Sequence, residues 1–402
     1  MGTPEPFQIR IPDATLGDMY ERLRRTRFAD DYANDDWEYG FNTAYLRELL
    51  GHWLTRFDGR SQERDMNALA HFRMDWNGLP LHFIQQRGKG DKPMPLLLHH
   101  GWPWTFWDLK RVIGPLTDPV AHGGNAQDAF DVVLISLPGH GFSSPNRQTG
   151  WNFHTTADLE AELMTRVLGY DKFATAGGDW GALIVAQLGH KPADKLHGLY
   201  CHLPIQLSHY LDTHADVPPG IDYSNGLPAP SVYGVGEETW VARNGDFFAR
   251  ESGYGYLHLS KPQTLAAALN DSPAGQMAWI IEKRRTWADT HGAIESVWDK
   301  DHLCATTTLY WATQTGGTSA RFYKEVLMDP WRPSHSRFPV VEASIALGVF
   351  PADVLLMPKR WSERYYNLQQ YRVHDRGGHF ASYECPALFV NDVQDFFRGF
   401  RR

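Results

Sequence analysis

Ala174-Thr175-Ala176-Gly177-Gly178-Asp179-Trp180-Gly181-Ala182-Leu183-Ile184 is the stretch on which the reading of this chain turns. The apolar run from Lys172 to Ala176 predicts a short buried strand, and Trp180 to Lys191 is competent to form a helix directly after it. Between them, Gly177-Gly178-Asp179-Trp180-Gly181 has the small-x-nucleophile-x-small form of a nucleophile elbow. The turn is sharp, so its glycines stand where a Cβ would collide as helix and strand meet. Such a turn lifts its central side chain above the C-terminal edge of the sheet. A serine there would point to an esterase, but the chain contains no G-x-S-x-G. An aspartate points instead to carboxylate attack on a carbon electrophile, giving an ester intermediate. The alternative for this pentapeptide alone is an aspartate that only caps the helix.

The remaining text is that of an α/β protein. His71–Trp76, Asn77-Gly78 and Leu79–Gln86 predict a hairpin, since Asn-Gly favours a type I′ turn. Pro95 to His100 is too apolar for a half-exposed strand and fits the middle of a parallel sheet. Asp128 to Leu137 and Leu196 to Leu203 read as further strands, with an amphipathic helix from Thr155 to Gly169. Before them, Phe7 to Ile11 alternates like a strand. Helices follow around Leu16, Met19, Tyr20 and Leu23, and from Thr43 to about Phe57. The arginines between Arg22 and Arg27 read as a solvated helix face rather than an anion site. From about Gln206 to His335 the strand rhythm stops. Loops rich in Pro, Gly and Tyr lead into helices expected at Lys261–Leu269, Ser272–His291 and Asp299–Gln314. Strands return at Val340–Ala346 and Gln369–Val373, and Ala387–Phe400 closes the chain as a helix. The expected division is 1–69, 70–205, 206–335 and 336–402, with the third segment a helical insertion in the α/β core.

Two further motifs stand where partners of Asp179 are wanted. His100-Gly101-Trp102-Pro103 follows a predicted strand, and a turn there would aim the Trp102 N–H at the elbow, beside that of Trp180. Two such donors make an oxyanion hole; the plainer reading is a tight turn and nothing more. Late in the chain, Gly377-Gly378-His379-Phe380 can hold an imidazole close to another backbone, where this fold places its base. Phe350-Pro351-Ala352-Asp353 supplies the acid, with Asp375 and Glu342 as rivals.

With 402 residues, 42% apolar and 21% charged, the chain has ample material for a core. A net charge of −8 without a basic run argues against nucleic acid as partner. Cys201, Cys304 and Cys385 have no metal-binding spacing and cannot all pair, which suits a reducing cytoplasm. No stretch reaches the roughly 20 apolar residues of a membrane span, and Met1–Pro6 lacks a signal pattern. The expected localisation is cytoplasmic, with no membrane partner. Fifteen tryptophans suit an aromatic-lined pocket, although core packing could absorb many of them.

Taken together, these motifs resemble the microsomal-type epoxide hydrolases of the α/β-hydrolase superfamily over essentially the whole chain. His100–Pro103 matches the family's oxyanion motif, Gly177–Gly181 its elbow, Gly377–Phe380 its base loop, and Phe350–Asp353 the segment carrying its acid. Glu251-Ser252-Gly253-Tyr254 and Arg321-Phe322-Tyr323-Lys324-Glu325 match the segments that bear its epoxide-binding tyrosines, and Ala267–Pro273 and Leu309-Tyr310-Trp311 match as well. The resemblance implies an α/β-hydrolase fold with an inserted helical cap and an N-terminal helical meander. It also implies a catalytic set of Asp179, His379, Asp353, Tyr254 and Tyr323, with substrate and oxyanion contacts at His100, Trp102, Pro103 and Trp180. Membrane-anchored animal members carry an additional N-terminal helix that this sequence does not show. Tyr256 competes with Tyr254, because two residues apart on an extended stretch they would share a face.

The chemistry asks for such groups. An epoxide oxygen leaving as alkoxide is a poor leaving group near neutral pH, and two phenols opposite the carboxylate can protonate it. The expected reaction converts a bulky or aryl epoxide and water to a vicinal diol, without cofactor or metal. Detoxification and antibiotic assembly, enediyne pathways among them, are both open as its setting. A homodimer is equally open. A haloalkane dehalogenase also uses an aspartate elbow, with Trp180 suited to a halide site; a non-catalytic ligand-binding member of the fold is the third reading.

Overall fold

The computed structural model describes residues 2–205, 207, 221–222 and 227–401. Its strands are β1 (Glu5–Pro6), β2 (His71–Trp76), β3 (Leu79–Gln86), β4 (Met94–His99), β5 (Phe130–Ile135), β6 (Phe173–Gly177), β7 (Leu196–His202), a ribbon of β8 (Ile221–Asp222) and β9 (Leu227–Pro228), β10 (Val341–Val349) and β11 (Tyr366–Val373). Helices α1 (Asp13–Arg24), α2 (Thr43–Thr55) and α3 (Gly59–Met66) precede the sheet, and α4 (Lys110–Thr117), α5 (Phe153–Glu162) and α6 (Trp180–His190) connect its strands. Helices α7 (Glu238–Arg250), α8 (Gly253–Ser260), α9 (Pro262–Asp271), α10 (Pro273–Thr286), α11 (Lys300–Ala312) and α12 (Thr315–Met328) lie between β7 and β10 in sequence. The short α13 (Lys359–Tyr365) and α14 (Ala381–Glu384) and the final α15 (Pro386–Arg398) complete the described set.

Nine strands form one sheet in the order β1-β2-β3-β5-β4-β6-β7-β10-β11, antiparallel from β1 to β5 and parallel from β5 to β11. The hairpin at Asn77-Gly78 has positive φ at both residues, 52° and 89°, as a type I′ turn requires. Leu96, Leu97 and Leu98 of β4 are completely buried, and every residue of β5 and β6 is buried. Each such leucine stabilises the fold by about 1.5–3 kcal/mol relative to exposure. The chain leaves β4 for β5 on one side and returns to β6 on the other, so strand order reverses at β4. Ligands of open α/β sheets bind at the carboxyl ends of strands at such a point. Here β4 and β6 pair with His99 opposite Gly177, which sets the turns after both strands side by side.

Several expectations are corrected. Phe7 to Ile11 is not a strand. The Ile9 and Ile11 N–H groups donate to side chains at Asn67 Oδ1 (2.8 Å) and Glu63 Oε1 (2.7 Å), so no ladder forms. The helix expected over Ser272–His291 ends at Thr286, because the next backbone groups serve the loop of His379. His379 N–H donates to Trp287 O at 2.9 Å, Asp289 N–H to Glu384 Oε2 at 2.7 Å, and Gly377 N–H to Asp289 Oδ2 at 2.8 Å. Helices α7, α8 and α12 were not expected. The stretch of α8 falls in the expected loops and that of α12 is assigned no element, but packing against neighbouring helices outweighs weak propensity, and Ala320, Phe322 and Val326 of α12 are buried. Part of the loops expected from Gln206 onward, at 206, 208–220 and 223–226, lies outside the described residues. Helices α1 and α2 pack on α10 and α11, and the half-buried Arg22 pairs with Asp18 and Asp271 rather than holding an anion. No described helix is long and apolar enough to cross a membrane.

Candidate active site

The elbow is built as its glycines imply. Asp179 adopts φ 54° and ψ −127°, between the end of β6 and the first residue of α6. A non-glycine residue held there costs about 1–3 kcal/mol, a cost that recurs at functional sites. A Cβ on Gly178 would lie 2.1 Å from the His202 ring, and one on Gly101 would lie 2.3 Å from Asp179 Cβ and Oδ1. Neither position has room for a side chain. The approach of Gly101 lets Trp102 N–H donate to Asp179 Oδ1 at 2.8 Å. Trp180, the other expected donor, opens α6 immediately after Asp179.

His379 meets the other carboxylate oxygen. Its Nε2 lies 3.2 Å from Asp179 Oδ2, and its Nδ1–H donates to Asp353 Oδ1 at 2.8 Å. Asp353 also accepts Val354 N–H at 2.7 Å and faces His202 Nδ1 at 3.2 Å. Burial alone would push the His379 pKa down, but the adjacent Asp353 and Asp179 carboxylates outweigh it and raise the value to about 9. Burial alone would raise Asp353, but His379 and His202 prevail and hold it well below the usual carboxylate range. The rivals are elsewhere: Asp375 is exposed beside Arg376, and Glu342 pairs with Arg337.

The inserted helices bring aromatic groups over this triad. Tyr254 stacks on Trp102 with ring centroids 4.8 Å apart, and Tyr323 stands edge-on to Trp180 at 4.6 Å. The two tyrosine rings are 5.9 Å apart and edge to face, so Tyr323 packs against both Tyr254 and the Trp180 ring. Burial, then the proximity of Tyr254 and Asp179, raises the Tyr323 pKa well above its ordinary value, so this phenol keeps its proton. Local structure separates Tyr254 from Tyr256. Their stretch is helical, so residues two apart point to opposite sides, and Tyr256 is 66% exposed.

Two expected site residues have other contacts. His100 donates through Nδ1 to Gly101 O (3.0 Å) and accepts Leu137 N–H at Nε2 (3.1 Å), so both ring nitrogens brace the turn. Pro103 O accepts from Arg284 Nη2 at 2.8 Å. Arg284 is fully buried and paired with Asp108, which also meets His302 Nε2 at 2.9 Å and Thr105 N–H at 2.7 Å. This network ties the Trp102 turn to α10 and α11. Neither it, nor His202, nor Trp287 against His379 (5.2 Å between centroids) was found from sequence. Residues 176 positions apart give no local signal of pairing.

Such a triad on a switch-point sheet defines an α/β-hydrolase, and comparison with known proteins agrees. Residues 4–109 match the model of the epoxide hydrolase N terminus, and residues 94–327 match that of the alpha/beta hydrolase fold. A Stigmatella aurantiaca protein is 38% identical over 399 residues, covering 98% of this chain and 85% of the relative. Epoxide hydrolase 1 of Oryctolagus cuniculus is 32% identical over 406 residues, covering 97% and 88%. The crystal structure of juvenile hormone epoxide hydrolase from the silkworm Bombyx mori superposes with a TM-score of 0.84 at 26% identity, covering 100% of this chain and 95% of that one. The chain belongs to the epoxide hydrolase family of α/β-hydrolases.

Proposed function

We propose that this enzyme opens bulky or aryl epoxides with water to vicinal diols, through a covalent ester on Asp179, with 206–335 as a cap over the core segments 70–205 and 336–402. The observation that carries the reading is one carboxylate met by a backbone donor and an imidazole on the core side, with two packed tyrosine rings, one of them within its electrostatic reach. Trp102, Trp180 and Trp287 around the tyrosines favour aromatic substrates.

In the first step Asp179 Oδ2 attacks a ring carbon. The carbon–oxygen bond breaks, and the departing oxygen takes a proton from the phenol pair. The Trp102 N–H keeps Oδ1 in place as the future ester carbonyl oxygen. Esterification removes the Asp179 charge, one of the influences that raise His379. The imidazolium then loses its proton more readily. Neutral His379, aimed by Asp353, takes a proton from water as the water attacks the ester carbonyl. The oxyanion forms at Oδ1, between the N–H groups of Trp102 and Trp180. On collapse the imidazolium protonates the departing Oδ2, the diol leaves, the carboxylate re-forms, and the remaining proton of the added water returns through solvent to the phenol.

Two experiments test this. Styrene oxide and larger aryl epoxides should yield diols, with regiochemistry recorded; halide release from chloroalkanes in place of diol formation would favour a dehalogenase. Tyr254→Phe and Tyr323→Phe should each slow ester formation, and the double variant should be nearly inactive, at about 10²–10⁴-fold for each lost proton donor. Full activity in Tyr254→Phe would remove that residue from the scheme.

A further inference from the structure

His202 closes β7, next to β6 in the sheet, and its buried ring lies directly beneath the elbow. The ring contacts Gly178, stacks on Trp104 at 6.0 Å, and stands edge-on to His379 at 6.5 Å. Its Nδ1 lies 3.2 Å from Asp353 Oδ2, whereas Oδ1 receives His379 Nδ1–H and Val354 N–H. An ionised carboxylate can only accept, so each imidazole nitrogen facing it carries a proton. Asp353 is therefore held from both sides by histidines, only one of which reaches Asp179.

We propose that His202 is a positioning residue for ester hydrolysis, acting through Asp353; this rests on the covalent reading above. Its donor stops the carboxylate from rotating about its last bond and keeps Oδ1 directed at His379. Carboxylate attack on the epoxide needs no general base, whereas attack of water on the ester does. Loss of the His202 donor thus falls on the second half-reaction alone.

The test compares His202→Leu, which removes the donor, with His202→Gln, whose amide supplies one. With enzyme in excess over an aryl epoxide, His202→Leu should form the ester at the wild-type rate. It should hydrolyse the ester about 10- to 100-fold more slowly, as for loss of one charge-assisted bond, and accumulate adduct by intact mass. His202→Gln should recover most of the hydrolysis rate. Wild-type hydrolysis in His202→Leu, equal slowing of both steps, or no recovery in His202→Gln would each overturn the assignment. Should His202→Leu fail to fold, proton NMR of the wild type with labelled histidine decides: a downfield Nδ1 proton is expected for His202 as well as His379, and its absence overturns the proposal. An absence of adduct in His379→Gln would instead remove the ester reading itself. Adduct there combined with unimpaired hydrolysis in His202→Leu would remove only the role of His202.

Discussion

A His379→Gln protein mixed with a reactive aryl epoxide is expected to gain one substrate mass and keep it. Asp179 retains the Trp102 N–H on Oδ1, and the phenols of the inserted helices are untouched, so attack on the epoxide remains open. Among the described residues, hydrolysis loses the one imidazole hydrogen-bonded to Asp179, at 3.2 Å from Oδ2. Removal of a positioned general base slows its step by about 10²–10⁴-fold, which turns the intermediate into the end product on the time of an assay. Intact-mass spectrometry reads the adduct, and digestion should locate it in the peptide containing Asp179. A variant that binds substrate, gains no mass and makes no diol would count against the two-step scheme. Asp353→Ala should show the same accumulation in milder form, since His379 would keep its place near Asp179 but lose its orienting acceptor.

The source of the diol oxygen separates covalent from direct chemistry with an almost complete change of label. Consider a single turnover with enzyme in excess, in heavy-oxygen water. If Asp179 Oδ2 attacks the epoxide, that oxygen leaves in the diol and solvent oxygen replaces it in the carboxylate. The first diol should then be mostly unlabelled, with the label in the Asp179 peptide. If His379 instead activates water to attack the epoxide directly, the label enters the diol from the start and the peptide stays light. Such a result would leave the fold and the family standing but would falsify the covalent role of Asp179. The geometry favours the first outcome. Oδ1 is engaged by Trp102, the His379 pKa of about 9 keeps an imidazolium beside the free carboxylate, and a cation in that state cannot serve as base on water.

Much of this was legible in the sequence because the elements involved are local. The Gly177–Gly181 turn, the strand into His100-Gly101-Trp102 and the paired glycines before His379 carry their backbone demands in a few consecutive residues. Periodicity, strand composition and turn chemistry all agreed on an α/β sheet with an insertion. What failed locally did so for identifiable reasons. Ile9 and Ile11 look like strand but are bonded by distant side chains. The Tyr254 and Tyr256 choice depended on whether the stretch was helical, which two glycines in eight residues obscure.

Other features belong to the tertiary structure alone. No spacing rule brings His202 to Asp353, Arg284 to Asp108, or Trp287 to the His379 backbone. These partners meet because β6 and β7 are sheet neighbours and because α10 returns over the turn after β4. Burial then decides their chemistry: charges removed from water must be paired, so the low Asp353 pKa and the raised His379 pKa arise only once the chain has closed around them. The sequence by itself determined the fold and singled out Asp179 and His379 as the expected nucleophile and base, since those readings rest on backbone geometry encoded residue by residue. The electrostatic state of the site, and the second histidine that shapes it, were decided by contacts between segments far apart in the chain.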